Sequence, residues 1–177
     1  MGESPRRITN VLLRVSVDPG HGGVFAEYRV DPAAEGFRVA LRISAASPRA
    51  GAAPAPRPPS RTPQPTPAAS EATPEPTALT EALTKDRREA EDFLRRLSEE
   101  FNVYGMTDLR PAHPFLHPTF YSFSFRDAGG GGHDFEYAVE CANHPDERYK
   151  ALVREFESFF EAARVFGEFF ERGRRGV

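Results

Sequence analysis

The sequence predicts an α+β protein, with an antiparallel sheet of about five strands backed by two helices in the order βββ–linker–αββα. Three observations lead there. Apolar residues alternate with period two in five short stretches. They recur at three- and four-residue steps in two others, and a proline-rich run divides the chain.

The first alternation is Ile8–Val17, where Val11, Leu13, Val15 and Val17 share one face and Leu12, Arg14 and Ser16 the other. Asp18–Gly23 is rich in residues that accept positive φ and predicts a turn. A second strand is expected over Val24–Val30 with Ala26, Tyr28 and Val30 inward. Asp31–Gly36 turns the chain again, and Phe37, Val39, Leu41 and Ile43 form a third strand, completing a meander over 1–46.

Residues 47–79 hold ten of the 17 prolines, no aromatic residue, and one large aliphatic, Leu79. Proline fixes φ and removes a backbone donor, and so little apolar surface cannot offset the entropy of ordering. This run therefore reads as a disordered linker, reaching at most roughly 100 Å at ~3.1 Å per residue.

The unit 80–177 is expected to open with a helix capped by Thr80, whose stripe is Leu83, Ala90, Phe93, Leu94, Leu97 and Phe101. Prolines 111, 114 and 118 make Thr107–Thr119 a loop. Tyr121, Phe123 and Phe125, then Phe135, Tyr137, Val139 and Cys141 across a glycine turn, spell a β-hairpin. Asn143 to Glu147 carries the signals of a helix start, and the last helix is expected to run toward Arg172, with Gly167 weakening it and allowing a kink that folds the tip back.

Forty-six residues rarely fold alone, and Cys141, the single cysteine, allows no internal disulfide. The outward rows suggest how 1–46 gains a core. Arg14, Arg29, Arg38 and Arg42 line the meander, while Asp134, Glu136 and Glu140 line the hairpin. Opposite charges on neighbouring strands attract, so the two β units are expected to join one sheet and share one core.

Composition narrows the function. The net charge is −3, with 14 basic and 19 acidic residues in 80–177, which does not resemble a dedicated nucleic-acid binder. No stretch approaches the ~18 apolar residues of a membrane span, and Arg14 interrupts any leader-like run at the N-terminus. A cytoplasmic location without membrane contact is expected. Arginine outnumbers lysine 21 to 2, which reads as genome composition of a bacterial type.

Candidate chemistry is sparse. Gly129–His133 lies between strands without a lysine, unlike a phosphate loop that opens a helix. His113, His117, His144 and Cys141 could be assembled into a metal or nucleophilic site, but one cysteine is too few for an ordinary structural zinc site. Cys141 reads as an inward apolar residue, and His133 is the other candidate base for it. No catalytic, cofactor or metal residue is assigned, and no cofactor is expected.

Two surfaces remain. Arg14, Arg29, Arg38 and Arg42 could grip anions, although a sheet that reads single strands adds exposed aromatics, and Tyr28 and Phe37 point inward. Nucleic acid is therefore not the expected partner. The last helix carries Phe159, Phe166, Phe169 and Phe170, and a straight helix would extend about two turns past the sheet. The expectation is a protein-interaction module, an adaptor, inhibitor or assembly subunit, that docks a protein partner or a second copy through these rings. The alternatives are an enzyme or metal protein using the 113–144 region, and nucleic-acid binding through the arginine face.

Overall fold

The computed structural model describes residues 6–17, 23–45, 78–110, 119–139 and 147–175. Its elements are β1 (Ile8–Val17), β2 (Val24–Ala33), β3 (Gly36–Ala45), β4 (Ala78–Leu83), α1 (Arg87–Glu99), β5 (Thr119–Asp127), β6 (Gly132–Val139), α2 (Glu147–Phe159) and α3 (Ala162–Arg175). The α+β class holds, with six strands rather than about five and three helices rather than two.

All strands are antiparallel, in the order β4-β3-β2-β1-β5-β6. β1 lies inside the sheet, pairing Leu13 with Tyr28 of β2 and with Phe123 of β5. The two β units thus form one sheet, though not through the charge rows that suggested it. β1 opposes Ser122 and Ser124, not the acidic row. Arg14 pairs within the meander, its Nε donating to Glu27 at 3.2 Å. Asp134 pairs within the hairpin, accepting from Arg126 at 2.8 Å.

Period-two alternation assigns each strand one covered and one open face. The covered face carries Val11, Leu13, Val15, Ala26, Tyr28, Val30, Val39, Leu41, Ile43, Phe123, Phe125, Phe135 and Tyr137, all buried. The helices close over it through aromatic rings. Phe93 of α1 stacks on Phe159 at 4.0 Å and meets Phe156 edge-on at 5.3 Å. Phe156 in turn meets Phe123 at 5.7 Å, and Phe160 meets Tyr28 at 5.2 Å.

Two helix boundaries differ from the sequence reading. Ala78–Leu83 is a strand, not the start of a helix, so Ala78 and Leu79 belong to β4 and the rest of the proline-rich run lies outside the described residues. Its Ala, Leu and Glu residues favour helix intrinsically, but pairing with β3 buries Leu79 and Leu83, and tertiary context overrides propensity. α1 starts later, at a capping box. Asp86 accepts from the Glu89 N–H at 2.8 Å, and Glu89 accepts from the Asp86 N–H at 2.9 Å.

The last helix is broken. Phe160 and Glu161 form a turn, with Glu161 in the left-handed region at φ 52°. Lys85 holds Glu161 at 2.9 Å and Glu81 holds Arg164 at 3.5 Å. These two contacts, taken in order, run α3 back along β4. The expected two-turn projection past the sheet does not exist.

The two edges of the sheet also differ. Along β6, Leu109 N–H donates to the Glu136 carbonyl at 2.8 Å and its carbonyl accepts from Ala138 N–H at 3.0 Å. This bridge covers part of that edge. No described strand pairs with the outer edge of β4.

Candidate docking surface on the open sheet face

No described helix lies on the other face of the sheet, which is built in rows by the strand register. One row runs Ala78–Ser44–Phe25–Ser16–Phe120–Ala138 across all six strands. The next runs Thr80–Arg42–Glu27–Arg14–Ser122–Glu136. A third runs Ala82–Ala40–Arg29–Leu12–Ser124–Asp134. Small residues separate the long ones, and Ala138 at the β6 end of the first row is buried.

Phe25 and Phe120 are 38% and 40% exposed, and both flank Ser16. Two strand spacings of ~4.8 Å put their backbones about 10 Å apart. The sequence reading missed this pair. Phe25 stands on the arginine side of an alternating strand, so its outward position was legible. Phe120 becomes legible once β5 is extended two residues before Tyr121.

The four outward arginines sit together on this face, all exposed, as the alternation requires. Arg14 and Arg29 are engaged, with Arg29 2.9 Å from Asp31 and 3.9 Å from Glu27. Arg38 and Arg42 form no ion pair among the described residues. Counting Arg14, Arg29, Arg38 and Arg42 against Glu27 and Asp31, the outer face of β1–β4 carries +2. A shallow depression of about 410 Å³ is lined by Arg14, Ser16, Phe25, Glu27, Arg42 and Ser44.

The acids beyond β5 are neutralised locally. Arg126 holds the Asp134 carboxyl below the usual carboxylate range, chiefly by hydrogen bonding. Arg110 pairs with Glu136. The face therefore has a basic, aromatic half and a balanced half.

Compared with family models, curated proteins and solved structures, the chain matches none. The site rests on its own geometry.

Other candidates resolve differently. The glycine turn is filled from within, because Asp127 Oδ1 accepts from the Gly129 and Gly131 N–H groups at 2.9 and 2.8 Å. Its donors already serve a carboxylate. No group of three metal-ligating side chains occurs among the described residues, while His113, His117, Cys141 and His144 lie outside them. His133 Nε2 lies 2.7 Å from the Met106 carbonyl, anchoring the loop after α1 to β6.

The phenylalanines expected to dock are divided by the break at Glu161. Phe159 and Phe169 are buried in the core, Phe166 is half-buried, and Phe170 is 51% exposed. They do not form one projecting surface. A cleft of about 440 Å³ between α1 and the start of β1 has a rim whose charges largely pair with one another, Arg7 with Glu91 and Arg95 with Asp92 and Glu99.

Burial also perturbs groups on the covered face. The Tyr121 hydroxyl is pushed up to about 12, mainly by burial and then by Glu157. Glu157 is itself held above the usual carboxylate range by loss of water around it.

Proposed function

We propose that this protein is a macromolecular docking module that binds its partner on the open sheet face rather than through the last helix. The observation that carries this reading is the exposed Phe25–Ser16–Phe120 row beside Arg42, which forms no ion pair among the described residues. The described residues leave both rings about 40% exposed and Arg42 without an ion pair, and Phe and Arg are residue types that interfaces favour. An adaptor or assembly role fits a flat surface better than a deep one.

The test is competitive crosslinking in the native host. A photoreactive residue replaces Ala40 on the open face or Arg88 on α1. The reading predicts a saturable adduct at position 40 that unlabelled wild-type protein suppresses and the Phe25→Asp/Arg42→Glu variant does not. Equal suppression by both proteins, or adducts confined to position 88, would refute it.

A further inference from the structure

We infer that the occupant of the open face is single-stranded nucleic acid, an inference that rests on the docking role proposed above. Three features of the face agree on that chemistry. Base stacking needs exposed rings on a flat sheet, and Phe25 and Phe120 stand in one row with serines and alanines around them. Backbone neutralisation needs cations beside the rings. Arg14 and Arg42 occupy the adjacent row, two residues along their strands and so about 7 Å away. That offset is of the order of the reach from a base to its own phosphate.

The third feature is charge placement. The chain as a whole is acidic, yet the outer face of β1–β4 is +2, and Arg38 and Arg42, opposite Asp31 and Glu27 in the register, form no ion pair among the described residues. Glu27 lies in the same row, but Arg14 and Arg29 already hold it. Asp134 and Glu136 lie on β6, beyond Phe120, and are paired with Arg126 and Arg110, so the net positive charge of the face lies on β1–β4. An acidic protein segment would satisfy the arginines without requiring anything to stack on the two rings. Double-stranded nucleic acid cannot present bases to them.

The readout is fluorescence anisotropy of labelled 15-mer oligothymidylate and oligouridylate, with a 15-base-pair duplex as comparison, at 50–200 mM salt. Wild type should bind the single strands more tightly than the duplex, with log K falling against log salt at a slope of about −1.4, as expected for two phosphate contacts. Phe25→Ala and Phe120→Ala should each weaken binding roughly ten-fold. Arg42→Ala should reduce the salt slope by about 0.7. Arg95→Ala on α1 should bind as wild type. Melting curves on the same samples confirm that each variant is folded.

Absence of binding at 100 μM protein, or binding indifferent to both phenylalanines, would overturn the inference. If oligonucleotides fail while the crosslink at position 40 still competes as predicted, the docking role stands with a protein occupant. If both fail, the open face is not a docking surface.

Discussion

The two faces of this sheet are made by the same strands, residue by residue, yet they obey different rules. The covered face concentrates Tyr28, Phe123, Phe125, Phe135 and Tyr137 under Phe93, Phe156 and Phe160. The open face spaces Phe25 and Phe120 among Ser, Ala, Thr and Arg. One face is an aromatic core in which each ring touches several others, so each position is bound to stability. On the open face the rings have few partners, so stability is nearly indifferent to them and selection for another purpose can act there.

Melting experiments sharpen this contrast. The largest effect is expected on the covered side. Phe156, fully buried between Tyr28, Phe93, Phe123 and Phe160, should cost about 3–5 kcal/mol on change to alanine, a large share of the stability of a domain this size. A loss below about 1 kcal/mol in a denaturant melt would mean that the helices do not close on the sheet as described.

A smaller effect belongs to the helix layer. Asp86→Ala removes the cap that satisfies the first turn of α1 and should cost about 1 kcal/mol. The same change at Thr80, the cap suggested by sequence, should cost less, because Thr80 lies in β4. Equal losses at the two positions would contradict the boundary between strand and helix.

Smaller still is the effect on the open face. Phe25→Ala and Phe120→Ala should each change stability by about 1 kcal/mol or less. A loss approaching that of Phe156→Ala would erase the distinction between the faces.

The smallest expected change concerns Glu157, an exposed residue of α2 whose carboxyl is nonetheless held above the usual range by partial loss of water around it. The folded protein then binds this proton more tightly than the unfolded chain does. That contribution to stability is present at low pH and is lost as pH rises through the carboxylate range and the raised folded value. Glu157→Gln should therefore melt slightly higher than wild type at neutral pH and equal to it well below that range. A variant that melts lower at neutral pH would place Glu157 in a favourable pairing instead.

What the sequence revealed follows the same physics. Strands with strict alternation, Val11–Val15 and Val39–Ile43, could be read with the correct inward sets because one face is dry. The hairpin around Phe123 and Phe135 was equally legible. Ala78–Leu83 was not, because six residues of Ala, Leu, Thr and Glu fit either period and the deciding partner, β3, is more than thirty residues earlier. Glu161 hid the helix break, since positive φ at a glutamate has no local signature, and Gly167 was the more obvious breaker. The contacts with Lys85 and Arg164 that hold Glu161 are visible only in three dimensions. The arginine face was legible from alternation, but its aromatic pair required the register of β1 against β2 and β5.

The central claim, that one face of this sheet is open to solvent, can be read directly in solution. A soluble gadolinium chelate added to the full-length chain relaxes proton signals according to their distance from solvent. The account predicts strong relaxation of the Phe25 and Phe120 ring protons and the Ala40 methyl, with Phe123, Phe156 and Leu41 protected. Protection of Phe25 and Phe120 equal to that of Phe123 would contradict it, showing that the open face is covered in the intact chain.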